Sequence, residues 1–149
     1  VMLSYVCNGD NVGFTFNKFL SMVLLGLRKI GVEATSSNNN DVMIGDRKVS
    51  GTAFYHLPGR NIVHGTLLYD TDMENMLHAI TPSREKLQRK GVESVRQRIT
   101  LLKDHTDMGL DDVKALIRET LCIGEYVLTL SEVEEIEQLE ANYLEEDFI

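Results

Sequence analysis

The sequence predicts an α+β fold: a largely antiparallel sheet flanked by helices. Three observations carry this. Strand-like apolar runs dominate the first half of the chain, and apolar residues at three- and four-residue spacing dominate the second. The links between successive strands are hairpin-sized, which antiparallel pairing permits and parallel pairing does not. No internal repeat or low-complexity linker divides the 149 residues, so 1–149 reads as one domain. A chain of this length buries roughly 70% of its unfolded surface, enough for a real core.

VMLSYVC is the first strand and NGDNVG the loop after it, with Asn and Gly supplying turn chemistry. A helix is expected from about Asn17 to Ile30, with Leu20, Val23, Leu24, Leu27 and Ile30 inward and Gly31 as its stop. VEAT is a short strand and SSNNND a polar loop whose side chains compete for backbone bonds. Val42 to Ile44 and Arg47 to Ser50 form a hairpin across Gly45-Asp46. LPGR is a turn, and NIVHGTLLYD the next strand. Thr71-Asp72-Met73-Glu74 has the capping-box pattern, with Met73, Met76, Leu77 and Ile80 as the buried stripe, and Thr81-Pro82 ends that helix. KGVESVRQRITLL reads as a loop leading to a strand or turn. Residues 110–122 are helical, with Val113, Leu116, Ile117 and Leu121 inward. Ser131-Glu132-Val133-Glu134 is expected to cap a last helix that turns Val133, Ile136, Leu139 and Tyr143 to the core.

The net charge of −8 belongs to one end of the chain. Residues 131–149 hold eight acidic side chains and no Lys or Arg, so the first 130 residues balance at 15 against 15. A solvated helix face explains that run. Nucleic acid is not an expected partner, because a phosphate-binding footprint is basic. FLSMVLLGL is too short to span a bilayer, and the start has no basic n-region of a secretory signal. Cys7 and Cys122 have no metal-ligand spacing and read as buried free thiols of a reducing, cytoplasmic compartment. The chain opens inside a strand without an initiator Met, which reads as an internal position of a longer protein.

Four features could carry chemistry. Asn40-Asp41 and Lys48 lie near one another across the hairpin. Strand alternation places Lys48 and Ser50 on one face and Arg47 and Val49 on the other. Lys48 is then either a solvated strand lysine or, if both faces are covered, a cation in a cleft that requires an anion. In His64-Gly65-Thr66, a glycine within a strand signals close approach by a ligand or another chain segment, and His64 is a core or a functional histidine. From 84 to 103, seven basic residues outnumber Glu85 and Glu93, which fits either phosphate contact or a solvated surface. Neither cysteine has a histidine nearby in sequence, so a thiol nucleophile is weakly supported.

Their order along the chain is more informative. NND followed by KVSG, then HGTLL after a hairpin, then KGVESVRQR resemble the lipoate–protein ligase family. VMLSYV is similar to the strand after that family's glycine-rich loop, and YVLTLSEVEEIEQLEANYLEEDF to the closing helix of its catalytic domain. The Asn-Asp and Lys-x-x-Gly pattern is shared with biotin–protein ligases, whereas HGTLL and Arg-x-Arg favour lipoate. The resemblance implies a biotin/lipoate ligase-like fold and ATP- and Mg²⁺-dependent conversion of lipoate to lipoyl-AMP. It implies transfer of the lipoyl group to a lysine of a lipoyl domain or of glycine-cleavage H protein.

By resemblance, Lys48 is the essential lysine, holding the lipoate carboxylate and the α-phosphate. Asn40 and Asp41 stand by the metal and phosphates, and both offer the oxygen ligands a hard cation takes. Ser50, Gly51, His64, Gly65 and Thr66 border lipoate and nucleotide, and Arg96 and Arg98 lie on the segment that folds over the nucleotide. The family's Arg-Arg pair, glycine run and His-Asp are not in this sequence, Val63 replaces one histidine, and Asn38-Asn39 replaces a Gly-Arg. The chain is therefore expected to be incomplete alone and to need the N-terminal part of the same protein. Two rivals share the fold: an ATP-independent lipoyl or octanoyl transferase using Cys7, and a non-catalytic binding subunit.

Overall fold

The computed structural model describes residues 1–37, 41–80 and 98–145, with backbone only at 77–80. Among the described residues five strands form one sheet in the order β1-β5-β4-β3-β2, every neighbouring pair antiparallel. They are β1 (Met2–Asn8), β2 (Thr35–Ser36), β3 (Val42–Ile44), β4 (Arg47–Leu57) and β5 (Arg60–Leu67). Among the described residues the helices are α1 (Val12–Lys29), α2 (Met73–Ile80), α3 (Leu110–Leu121) and α4 (Leu130–Tyr143), with a short 3₁₀ turn at Leu102–Asp104. The expected α+β class and antiparallel sheet are what the chain adopts. Among the described residues no helix is long and apolar enough to cross a membrane.

The helix α1 starts five residues before the periodicity suggested. Asn11 caps it, its side chain accepting from the Phe14 N–H at 2.9 Å. The stripe of Phe16, Phe19, Leu20, Val23 and Leu27 then packs on Val42, Val49, Val63 and Leu67. Each such side chain stabilises the fold by about 1.5–3 kcal/mol on burial. The helix α3 lies against α1, where Gly26 leaves room for Ile117 and Leu121. Val113 and Ile117 complete this core, as their spacing predicted.

Register fixes which side chains share a face. Across β1-β5-β4, the rows Leu3–Gly65–Thr52 and Tyr5–Val63–Phe54 face the helices. The rows Met2–Thr66–Gly51, Ser4–His64–Ala53 and Val6–Ile62–Tyr55 face the other way. No described helix packs on that second face.

Two capping expectations shift. Asp72 caps α2, its carboxylate accepting from the N–H groups of Glu74 and Asn75 at 2.9 and 3.0 Å. Thr129, not Ser131, caps α4 in a complete capping box with Glu132. The inward stripe expected of α4 is also corrected: none of its residues is buried, and Val133, Ile136, Leu139 and Tyr143 are exposed. Periodicity says which face a helix can bury, not that a surface lies opposite it. Cys7 is half-buried and Cys122 exposed; both are free, so the expectation of two buried thiols holds for neither in full.

Candidate functional site around Lys48

The expected hairpin forms across Gly45-Asp46, with Gly45 in the left-handed region at φ 61°. What the sequence did not disclose is a bulge in β4. Val42 pairs with Ser50 but Met43 pairs with Lys48, so Val49 is extra. Both Val49 and Ser50 are buried as a result. Simple alternation, which placed Ser50 beside Lys48, is therefore corrected: Ser50 stands opposite Leu67 on the helix-covered face. Lys48 lies on the open face with Gly51, three residues on.

The lysine is held rather than solvated freely. Its Nζ is 2.8 Å from Asp41 Oδ1, and the two side chains are 39% and 25% exposed. Its stem crosses Gly51, where an added Cβ would stand 3.1 Å from Nζ and 3.2 Å from Cε. Glycine at 51 thus keeps the floor under the ammonium low. Thr66 is the cross-strand neighbour of Gly51, and His64 that of Ala53, both exposed on this face. The core-histidine alternative for His64 is not realised.

Gly65 has a different reason to be glycine. An added Cβ would meet the Gly51 carbonyl oxygen at 3.2 Å and the Phe19 ring at 3.2 Å, so the close approach is by other chain segments on the helix side. Asp41 itself is set by a loop closure: the Ser37 N–H donates to its carbonyl at 2.8 Å and its own N–H donates to Ser37 Oγ at 3.2 Å.

The structure thus brings Asp41, Lys48, Gly51, His64 and Thr66 together on one face. Asn40 and Arg96, with most of the basic 84–103 cluster, lie outside the described residues. Arg98 is exposed, one residue before a parallel bridge between Ile99 and Lys48. Beyond that bridge the chain is stitched to the end of β5: Leu102 N donates to Leu68 O at 2.7 Å and Lys103 N to Tyr69 O at 3.1 Å. The Asp70 carboxylate, hydrogen-bonded to Lys103, holds that ammonium above its ordinary range. No group of three or more His, Cys, Asp or Glu that could hold a metal occurs among the described residues.

Cys7 is elsewhere. It pairs with Asn61, five residues along β5 from Thr66, which is roughly 16 Å at 3.3 Å per residue. Its Sγ is 3.2 Å from Thr15 Oγ1 on the helix side. There Asn61, fully buried, donates to the Gly9 carbonyl at 2.8 Å and to Thr15 Oγ1 at 3.3 Å, and its Oδ1 is 2.8 Å from His56 Nδ1. This network ties the β1–α1 loop to the β4–β5 turn, a structural task.

Residues 1–122 match the lipoyl protein ligase A/B catalytic domain. The chain belongs to that family. It is 33% identical over 105 residues to the lipoate–protein ligase LplJ of Bacillus subtilis, a match covering 70% of this chain and 32% of that protein. It is 29% identical over 143 residues to lipoate–protein ligase 1 of Staphylococcus aureus, covering 91% and 44%. The chain thus spans less than half the length of these curated relatives. Among solved structures, the bi-partite lipoate protein ligase of Thermoplasma acidophilum, studied with its E2 lipoyl domain, superposes with a TM-score of 0.82 at 24% identity, over 99% of this chain and 61% of that one. A lipoate–protein ligase A bound with ATP superposes with a TM-score of 0.78 at 25% identity, covering 99% and 63%. The biotin/lipoate ligase-like fold expected from the sequence is thereby established.

Proposed function

We propose that this chain provides the lysine-bearing sheet of an ATP-dependent lipoate–protein ligase. The observation that carries the reading is the position of Lys48: an ammonium on the open face, braced by Asp41 and lying over Gly51. Its neighbours on that face, Gly51 and Thr66, are small, and in the next row Ala53 and Ser4 stand on either side of His64. They leave room for a carboxylate or phosphate beside the cation. On the same face Met2, in the row of Thr66, and Val6, Tyr55 and Leu57 beyond it are exposed; Met2 is 69% and Tyr55 59% accessible. An apolar surface beside a fixed cation suits an acyl chain ending in a carboxylate.

In this reading the lipoate carboxylate attacks the α-phosphorus of ATP, and the bond to pyrophosphate breaks. Lys48 faces the negative charge that both reactants bring together and that grows in the transition state. A preplaced ammonium needs no reorganisation at that moment, and losing one such group costs about a hundredfold or more in rate. In the second step the acceptor amine attacks the lipoyl carbonyl and AMP leaves; Lys48 stabilises the carbonyl oxygen as it gains charge. Thr66 and the Gly65 backbone border the adenylate, and His64 flanks it. Arg98 supplies a cation for the nucleotide phosphates, the role the family resemblance also gives Arg96.

Mg²⁺ would screen the phosphate oxygens. Asp41 fits that task, since a carboxylate can face Lys48 with one oxygen and a metal with the other; Asn40 adds a carbonyl donor. Acceptors are a lipoyl domain or H protein, and the remainder of the natural protein completes the pocket. Cys7, bonded to Thr15 on the opposite face, lends no support to a thiol-dependent transferase. The site faces solvent in the cytoplasm on this reading.

The test is Lys48→Ala in the natural full-length protein. Pyrophosphate release with lipoate and ATP should fall about a hundredfold or more, with melting temperature nearly unchanged, because an exposed ion pair contributes about 0–1 kcal/mol. Unchanged release would refute the assignment. ATP that fails to protect the protein from proteolysis would instead favour a non-catalytic binding subunit.

A further inference from the structure

We propose that Thr100 is a positioning residue for Lys48, with His105 as its clamp; this rests on the ligase reading above. The strand β5 ends at Leu67, so it stops short of Lys48. The place beside Lys48 that a further pair of the β4–β5 ladder would fill is taken instead by Ile99–Thr100. Ile99 bridges Lys48 in parallel, and the Thr100 N–H donates to the Lys48 carbonyl at 2.9 Å. This is the point where the β4 bulge interrupts the ladder on the opposite side. The backbone that carries the lysine is therefore fixed from this side by Thr100.

Thr100 is in turn fixed by its own side chain. It is only 4% exposed, and its Oγ1 is 2.7 Å from His105 Nε2. The backbone N–H of His105 donates to Leu102 at 2.9 Å, closing the intervening turn. Leu102, fully buried, anchors that turn in the core. The hydroxyl–imidazole bond therefore locks a ring of six residues whose free edge is the N–H aimed at Lys48. Without the hydroxyl, the half-buried imidazole loses its partner and the ring loses its closure. The lysine Cα then drifts, and misplacement of a catalytic group by about 1 Å can cost up to a hundredfold in rate. Neither residue belongs to the motifs that mark the family in this sequence.

The experiment compares Thr100→Val, which keeps the shape and removes the hydroxyl, with Thr100→Ser, which restores it, in the full-length protein beside Lys48→Ala. Thr100→Val should lower kcat for pyrophosphate release about tenfold or more while KM for lipoate and ATP stays within about twofold. Thr100→Ser should recover most of the loss. Amide exchange should quicken at Thr100 and not at Leu102, whose N–H is bonded to Leu68. Wild-type kcat in Thr100→Val, or equal losses in Val and Ser, would overturn the proposal. Should Thr100→Val fail to fold, His105→Gln, which keeps a hydrogen-bonding group within reach, is compared with His105→Leu; equal kcat loss in the two overturns it as well. Loss in Lys48→Ala with none in Thr100→Val defeats this inference alone, whereas full activity in Lys48→Ala defeats the ligase reading beneath it.

Discussion

The two faces of the sheet use the same strands for opposite ends. On the helix-covered face Leu67, Val63, Val49 and Val42 meet α1 in an apolar core, and glycine appears at 65 because a ring and a carbonyl leave no room for more. On the open face the same strands present Thr66, His64, Gly51 and a half-exposed lysine, and glycine appears at 51 because a side chain would crowd the ammonium. One extra residue, Val49, separates the two roles. It turns two consecutive side chains inward and leaves Lys48 free to lie over Gly51. The contrast teaches that a period-two pattern can be broken once and still serve both faces.

The separation predicts that each face fails in its own currency. Leu27→Ala, fully inside the helix face, should cost about 2–5 kcal/mol of stability. Turnover per folded molecule should stay the same. Denaturant midpoints read beside kcat would expose a shared role, and a loss of kcat in the folded fraction would break the division. The paired glycines sharpen it further. Gly65→Ala forces a Cβ against Phe19 and the Gly51 carbonyl and should cost about 1–3 kcal/mol. Gly51→Ala meets only the movable end of Lys48, so the melting temperature should hardly move while pyrophosphate release drops. The reverse outcome for the pair would mean that the two glycines had been assigned to the wrong faces.

Much of this was legible in the sequence because it was local. Leu20, Val23 and Leu27 announced the buried face of α1, Gly45-Asp46 the hairpin, and the order of NND, KVSG and HGTLL the family. What stayed hidden depended on partners distant in sequence. Ser50 was placed beside Lys48 because nothing in KVSG marks the bulge, which exists only relative to β3. Thr100 and His105 gave no signal, since a threonine five residues before a histidine is unremarkable until Lys48 is brought against it. The stripe on α4 was read correctly as helical and wrongly as buried, because a stripe does not contain its own partner.

That last helix gives the smallest effect and the cleanest control, since it belongs to neither face. Glu132 closes the capping box of α4, accepting from the Thr129 N–H at 2.7 Å, the Thr129 hydroxyl at 2.8 Å and the Tyr126 hydroxyl at 2.6 Å. The Tyr126 bond first, then those from Thr129, hold its carboxyl below the ordinary glutamate range. The folded helix therefore favours the ionised form. That stabilisation is complete above the unfolded glutamate pKa of about 4.3 and is lost as pH falls through the lower folded value. Acidification should loosen α4 at its first turn, and Glu132→Gln should reproduce much of the loss at neutral pH. Amide shifts of Thr129 and Glu132 should move together while those of Val63 and Leu67 stay still. If the sheet amides titrate with them, α4 is coupled to the core after all, and the helix-covered face extends further than Val113 and Ile117.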